Sequence, residues 1–436
     1  MKRIYNYLLK FVEQILNFIK TESFHMYLSS LLQVKPFFRY TQNNIQRSLT
    51  LNSEEFIDDA SDTVVNTEIP ITYIAFYLPQ FHPIPENDAW WGKNFTEWAN
   101  VTRAAALFPE HYQPHLPAHF GFYDLRIPSI IAEQAELAKK YGVKAFCFYL
   151  YWFSGTPLLT IPLTHFLEND NIDLEFCLCW ANENWTRRWD GRDEDILIQQ
   201  EYRKDDPEQF IIYIEKYLND RRYITINGKK VLLIYRITSI PDVRGFTAQL
   251  RSVCKNRGIG ELYLVAVKSY DFVEKDPAQY GMDAFVEFPP HTIRRNHPTP
   301  INSEVALLTK NYHGIVYSYH EIIKKKLYFA QNKPSYQVFQ GIMTAWDNTP
   351  RKPTMSTIFH NSNPTLFGQW LFAISRYTME QNSAETRLVF INAWNEWAEG
   401  AHLEPDRRYG YGYLREVLRC IHKINSDNDN YSPSKK

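Results

Sequence analysis

The stretch Val389-Phe390-Ile391-Asn392-Ala393-Trp394-Asn395-Glu396-Trp397-Ala398-Glu399-Gly400 changes character midway. It opens as an apolar run of the kind that is buried in a sheet. It then delivers two tryptophans and two carboxylates. If a helical turn starts after the strand, Glu396 and Glu399 share one face, roughly 5–6 Å apart at Cβ. Two carboxyls held that close beside aromatic rings suit acid–base chemistry on a sugar. Acidic residues also favour the first turn of any helix, where they complement its dipole. The indoles on both sides weigh against a solvated face. A sugar site stacks pyranose faces on aromatic rings and reads hydroxyls with acids.

Working outward, this run is the last of eight similar ones. The others are Ile71–Leu78, Val143–Trp152, Phe176–Ala181, Val231–Tyr235, Leu262–Lys268, Ala284–Phe288 and Tyr336–Gly341, and the eighth is Leu388–Ala393. Helix-like patterns lie between several of them: Ile130–Tyr141, Pro207–Leu218, Phe246–Asn256, His320–Gln331 and Pro364–Met379. Continuous apolar runs mark strands buried on both faces of a parallel sheet. Eight such strands with intervening helices predict an α/β fold, a (β/α)8 TIM-type barrel. No glycine-rich turn follows the first strand, so a dinucleotide-binding open sheet has no support.

The expected organisation is an amphipathic helical extension over 1–50, an acidic linker over 51–68, the barrel over 69–425 and a disordered polar tail over 426–436. Lys10, Glu13 and Gln14 interrupt the apolar region that a signal peptide would need, and the apolar residues of 1–20 follow helical spacing instead. That pattern fits a helix docked on the domain; the alternative is peripheral contact with a membrane surface. No run is long enough for a membrane span.

The 436 residues carry a formal net charge of -1, which gives no electrostatic footprint for nucleic acid. Aromatics make up 16%, with 11 Trp and 29 Tyr, and many stand in polar contexts. Five cysteines, an odd number without a framework, fit a reducing, cytoplasmic compartment. Their spacing predicts neither a zinc site nor any other cofactor.

In a barrel of this type the C-terminal strand ends form the active face. Polar and aromatic residues recur at six of the eight ends. Strand one leads to His82 and a loop holding Trp91, Glu97 and Trp98. Strand two ends in Tyr149, Tyr151 and Trp152. Strand three leads to Trp180, Asn182, Glu183 and Trp185. Strand six gives Glu287 and His291, strand seven Trp346 and Asp347, and strand eight Trp394, Asn395, Trp397 and the two acids. All are candidate substrate contacts, with Glu396 and Glu399 as the catalytic pair. A single loop histidine is more often an ordinary hydrogen-bonded residue, and the tryptophans near residue 90 could equally form a packed lid. Asp193-Glu194-Asp195 has the D-x-D form used for metals by nucleotide-sugar transferases, but it is common by chance.

Several of these motifs resemble one family. Ala75-Phe76-Tyr77-Leu78-Pro79-Gln80-Phe81-His82-Pro83, Trp90-Trp91-Gly92, Phe95-Thr96-Glu97-Trp98, Phe122-Tyr123-Asp124-Leu125-Arg126, Trp180-Ala181-Asn182-Glu183-Asn184-Trp185, Trp346-Asp347-Asn348-Thr349 and Asn395-Glu396-Trp397-Ala398-Glu399-Gly400 look like the signatures of WbsX-type proteins. These are glycoside hydrolase family 99-like domains encoded among surface-polysaccharide genes. The resemblance covers roughly residues 70–420. It implies a (β/α)8 barrel, a glycan substrate, no metal and a retaining mechanism. Carried over from family 99, Glu396 would deprotonate the sugar 2-hydroxyl, and Glu399 would protonate the leaving oxygen. The resemblance leaves three functions open: cleavage or transfer of α-linked sugars, transfer from an activated donor, or glycan binding without turnover.

Overall fold

The computed structural model describes residues 53–59, 68–187, 192–273, 275–329 and 334–431. Eight parallel strands close on themselves. They are β1 (Thr72–Tyr77), β2 (Val143–Phe153), β3 (Glu175–Trp180), β4 (Lys229–Ile234), β5 (Leu262–Val267), β6 (Ala284–Val286), β7 (Val338–Met343) and β8 (Leu388–Asn392). Each pairs with its neighbour in chain order, and β8 returns to β1 through Ile74 opposite Phe390. The chain is therefore a (β/α)8 barrel, as its apolar periodicity predicts. β7 starts two residues later than its apolar run suggests and extends to Met343.

The strands are buried on both faces. Their inner faces fill the barrel with rings. Phe76 of β1 lies 5.5 Å from Tyr149, 5.1 Å from Phe288 and 5.7 Å from Phe390, contacts that span the interior. The interior is thus a packed core, and chemistry is left to the rim. Their outer faces are covered by helices that include α1 (Pro128–Lys140), α2 (Asp206–Leu218), α3 (Val243–Asn256), α4 (Pro364–Gln381) and α5 (Gly412–Tyr431). α4 shows why these helices form where they do. Asn363 caps it by accepting from the Leu366 N–H at 2.9 Å, and Pro364 pre-sets its first turn. Phe367, Trp370, Leu371, Ile374 and Thr378 then make one buried stripe. The helix expected over His320–Gln331 spans only Tyr319–Lys324. It stops as Lys326 enters the left-handed region at φ 52°.

Two segments differ from expectation. Within the linker expected over 51–68, residues 53–59 dock on the barrel, and 60–67 lie outside the described residues. The Ser53 N–H reaches Arg408 O at 2.8 Å, and Ile57 exchanges backbone bonds with Tyr409 and Tyr411. Gly410, at φ 55°, admits this approach, since a Cβ there would lie 2.1 Å from the Ile57 carbonyl oxygen. At the other end, α5 runs into the tail expected over 426–436 as far as Tyr431, and 432–436 lie outside the described residues. Its apolar residues Leu414, Val417, Leu418, Ile421 and Ile424 carry the helix up to the boundary, and Ser426 then bonds back to the His422 carbonyl. The helical extension expected over 1–50 lies outside the described residues. Among those described, no helix is long and apolar enough to cross a membrane. All five cysteines are free and buried.

Candidate active site

The loop after β8 sets the geometry. Asn395–Glu396 pairs antiparallel with Ala401–His402, and a 3-10 turn, Trp397–Glu399, joins them. The α-helical turn expected after the strand is therefore replaced by a tight hairpin. A 3-10 turn still superposes residues three apart, so Glu396 and Glu399 remain on one side. Gly400 closes the hairpin at φ 63°, in the left-handed region that glycine favours.

Both acids meet one cation. Arg351 donates from Nη1 to Glu399 Oε1 at 2.6 Å and from Nη2 to Glu396 Oε2 at 3.0 Å. Its Nε lies 3.4 Å from Glu97 Oε2. Arg351 was not among the residues singled out in the sequence. The only signal is its position just past Trp346-Asp347-Asn348-Thr349. Burial pushes the Glu396 carboxyl up to about 8, with Glu399 and Glu97 adding to the rise and Arg351 opposing it. Burial works against the Arg351 charge, but the three carboxylates hold it well above the ordinary guanidinium range.

Glu396, Glu399 and Arg351 face a cavity of about 720 Å³ at the C-terminal end of the barrel. Of the candidate substrate contacts, Trp91, Tyr149, Tyr151, Glu183, Trp185, His291 and Trp346 line it, joined by Trp90, Asn348 and Arg294. Aromatic walls around a carboxyl pair can stack a sugar ring while acids address its oxygens. Gln80 steadies one wall by donating to the Tyr151 hydroxyl at 3.0 Å.

The other expected contacts lie behind the wall, so direct contact with substrate does not match their placement. Trp152 and Trp180 are fully buried, with Trp180 and Trp152 both against Phe210 of α2. Trp394 packs on Phe146, and Trp98 sits between Phe81 and Trp397. His82 is sealed in the interior, where burial lowers its pKa to about 4. Glu287 is a buried partner of Lys268 at 2.7 Å. Asn182 ties β3 to β4 by exchanging bonds with the Arg236 backbone. These large or polar residues serve the packing of the rim, and Trp180, Asn182 and Glu287 also serve its hydrogen bonding.

Four of the hidden residues hold the hairpin that carries the acids, or the arginine they share. Asn395 clamps the loop to β1, accepting from Leu78 N–H at 2.7 Å and donating to Leu78 O at 3.0 Å. Glu97 faces Arg351 from beneath. Trp397 stacks on His402 and donates to Glu404 Oε2 at 2.6 Å. Asp347 donates its N–H to the Glu399 carbonyl at 2.7 Å. Burial alone would raise the Asp347 carboxyl, but the His111 charge and bonds from His111, Thr349 and Gln113 hold it at about 2. Glu404, which sequence reasoning passed over, also accepts from Tyr123 and Gln134. Burial nonetheless pushes it up to about 7.

Beneath the hairpin, buried His115, His402 and Asp406 bring potential metal-ligand atoms within 4.8 Å of one another. His115 Nδ1 and His402 Nε2 are hydrogen-bonded at 2.8 Å, and His402 Nδ1 faces the Glu404 carbonyl at 3.0 Å. Those bonds engage three of the four imidazole nitrogens without an ion. The D-x-D triplet falls on an antiparallel hairpin strand, Arg192–Ile198, where Glu194 and Asp195 are exposed.

Comparison with known proteins agrees with this architecture. The family model described as Glycosyltransferase WbsX matches residues 73–417. The uncharacterized protein WxcX of Xanthomonas campestris pv. campestris strain B100 is 43% identical over 361 residues, 82% of this chain and 51% of that protein. Its counterpart in strain ATCC 33913 is 44% identical over 355 residues, 81% of this chain and 50% of that protein. The chain thus spans about half the length of these curated relatives. Among solved structures, one described as a glycoside hydrolase-like protein superposes with a TM-score of 0.50 at 15% identity, covering 83% of this chain and 98% of that one. The GH99 endo-alpha-mannosidase from Bacteroides thetaiotaomicron gives a TM-score of 0.48 at 15% identity with the same coverage. At 15% identity the likeness to the first of these is one of fold.

Proposed function

Since the chain belongs to the WbsX glycosyltransferase family, we propose that it is a carbohydrate-active enzyme of surface-polysaccharide metabolism. It cleaves or transfers α-linked glycosyl units at the Glu396–Glu399 pair. The observation that carries this reading is the shared Arg351 contact, which holds both acids together on an aromatic-lined cavity.

The proposed course retains anomeric configuration. Glu396 takes the proton of the sugar 2-hydroxyl as O2 bonds to the anomeric carbon. The glycosidic bond breaks, and Glu399 gives its proton to the departing oxygen. Water or an acceptor hydroxyl then attacks the anomeric carbon, losing its proton to Glu399. The C1–O2 bond opens and O2 recovers its proton from Glu396. Burial raises the Glu396 carboxyl to about 8, which makes it a stronger base once it is ionised. For Glu399 to act as the acid, its Arg351 contact must give way as substrate enters.

Incubation with polysaccharide from the producing organism, followed by product analysis, tests the reaction. Glu396→Gln and Glu399→Gln should each abolish turnover in a folded protein. Wild-type-like turnover in either would reject the pair as catalytic.

The family description favours a second reading, transfer from a nucleotide- or lipid-linked donor. Calorimetry against nucleotide sugars, with and without manganese, separates the two, because tight donor binding belongs only to the second.

A further inference from the structure

The cavity has two chemically different sides. Loops after β1 and β3 bring Trp90, Trp91 and Trp185, a stacking wall. Across the ring, loops after β6 and β7 bring Arg294, Arg351 and Lys352 to the same cavity. The acids that line it already have cations. Glu183 lies 3.5 Å from Arg236, and Glu396 and Glu399 share Arg351. Arg294 is different. It is exposed on the cavity, and its side chain makes no hydrogen bond or ion pair among the described residues. It stands three residues after His291 on a short helix, so both address one side. Lys352 follows Arg351 in one turn, where both backbone N–H groups donate to Asn348 O, at 2.9 Å and 3.1 Å.

A neutral glycan is read by hydroxyl contacts and ring stacking, and gains little from cations at the rim. An oxyanion gains charge-assisted hydrogen bonds, about twice as strong as neutral ones, and fits the planar arginine fork. The carboxylates at the floor would repel such a group, which leaves the β6–β7 side for it. Resting on the glycan-processing reading above, we infer that the sugar accepted here carries an oxyanion, a phosphate ester or a uronate carboxylate, that docks against Arg294 and Lys352.

Calorimetry on the full chain tests this. The probes are methyl α-glycosides of common hexoses, each offered as the neutral sugar, its 6-phosphate and its uronate. For at least one hexose an anionic form should bind about ten-fold more tightly than the neutral form, through charged hydrogen bonds. Roughly 0.5 M NaCl should shrink that advantage, and Arg294→Gln should remove most of it. Which form gains, the phosphate or the uronate, identifies the source of the oxyanion. Neutral sugars that bind as tightly as the anionic forms would overturn this inference and leave the glycan reading standing. So would an anionic advantage that survives in both Arg294→Gln and Lys352→Gln. No binding of any probe would overturn both.

Discussion

Replacing Arg351 by methionine removes a cation that Glu97, Glu396 and Glu399 share while keeping much of the side chain's bulk. The side chains of the four residues are 0% to 18% exposed, so the carboxylates left behind are only partly hydrated. Removing one partner from a buried ion pair costs about 3–5 kcal/mol, and Arg351→Met should lose about that much stability near neutral pH. The loss should also depend on pH. The folded-state pKa of Glu396, about 8, lies above its ordinary value of 4.5. Stability from its proton is full below the ordinary value and is lost as pH rises through the folded one. Without Arg351 the folded value climbs further, so the extra penalty appears only above pH 8. Each unit of further rise adds about 1.4 kcal/mol there. Urea denaturation followed by tryptophan fluorescence at pH 6 and pH 9.5 measures both effects. A deficit under about 1 kcal/mol, or an equal one at the two pH values, would refute the role given to Arg351.

Three further outcomes follow from the supports of the acid hairpin. The Glu404 carboxyl, raised by burial from 4.5 to about 7, makes the protein less stable as pH rises through that window, by roughly 3 kcal/mol. Glu404→Gln has no proton to lose, so thermal denaturation at pH 5 and pH 8 should give it the flatter profile; identical slopes would count against the assignment. The Asp347 carboxyl is depressed from 3.8 to about 2, so its contribution is present above the ordinary value and lost as pH falls through the folded one. Asp347→Asn should therefore cost about 2 kcal/mol at pH 7, and a loss below 1 kcal/mol in denaturant titration would be inconsistent with that. Gly400→Ala forces a side chain into the left-handed region and sets a methyl 3.4 Å from Asp347 N and His115 Cε1. It should cost about 1–2 kcal/mol and lower kcat by tilting Glu399; an unchanged kcat would show that the turn tolerates the methyl.

The sequence by itself determined the barrel, because a strand buried on both faces must be apolar along its whole length. The runs Val143–Trp152 and Leu388–Ala393 could be read without any partner in view. It also determined that polar and aromatic residues gather at one end, and that Glu396 and Glu399 stand three apart on a turn. Only the tertiary structure decided which of those residues face open space. Tyr151 and Trp152 are adjacent and equally aromatic, yet one lines the cavity and the other packs on α2, because alternate residues of a strand face opposite ways. Glu287 and Asp347 look like site acids until Lys268 and His111 are found beside them. Arg351 lies 45 residues before Glu396 in the chain. Its contact with both acids is set by where β7 and β8 end side by side, and no local pattern encodes that distance.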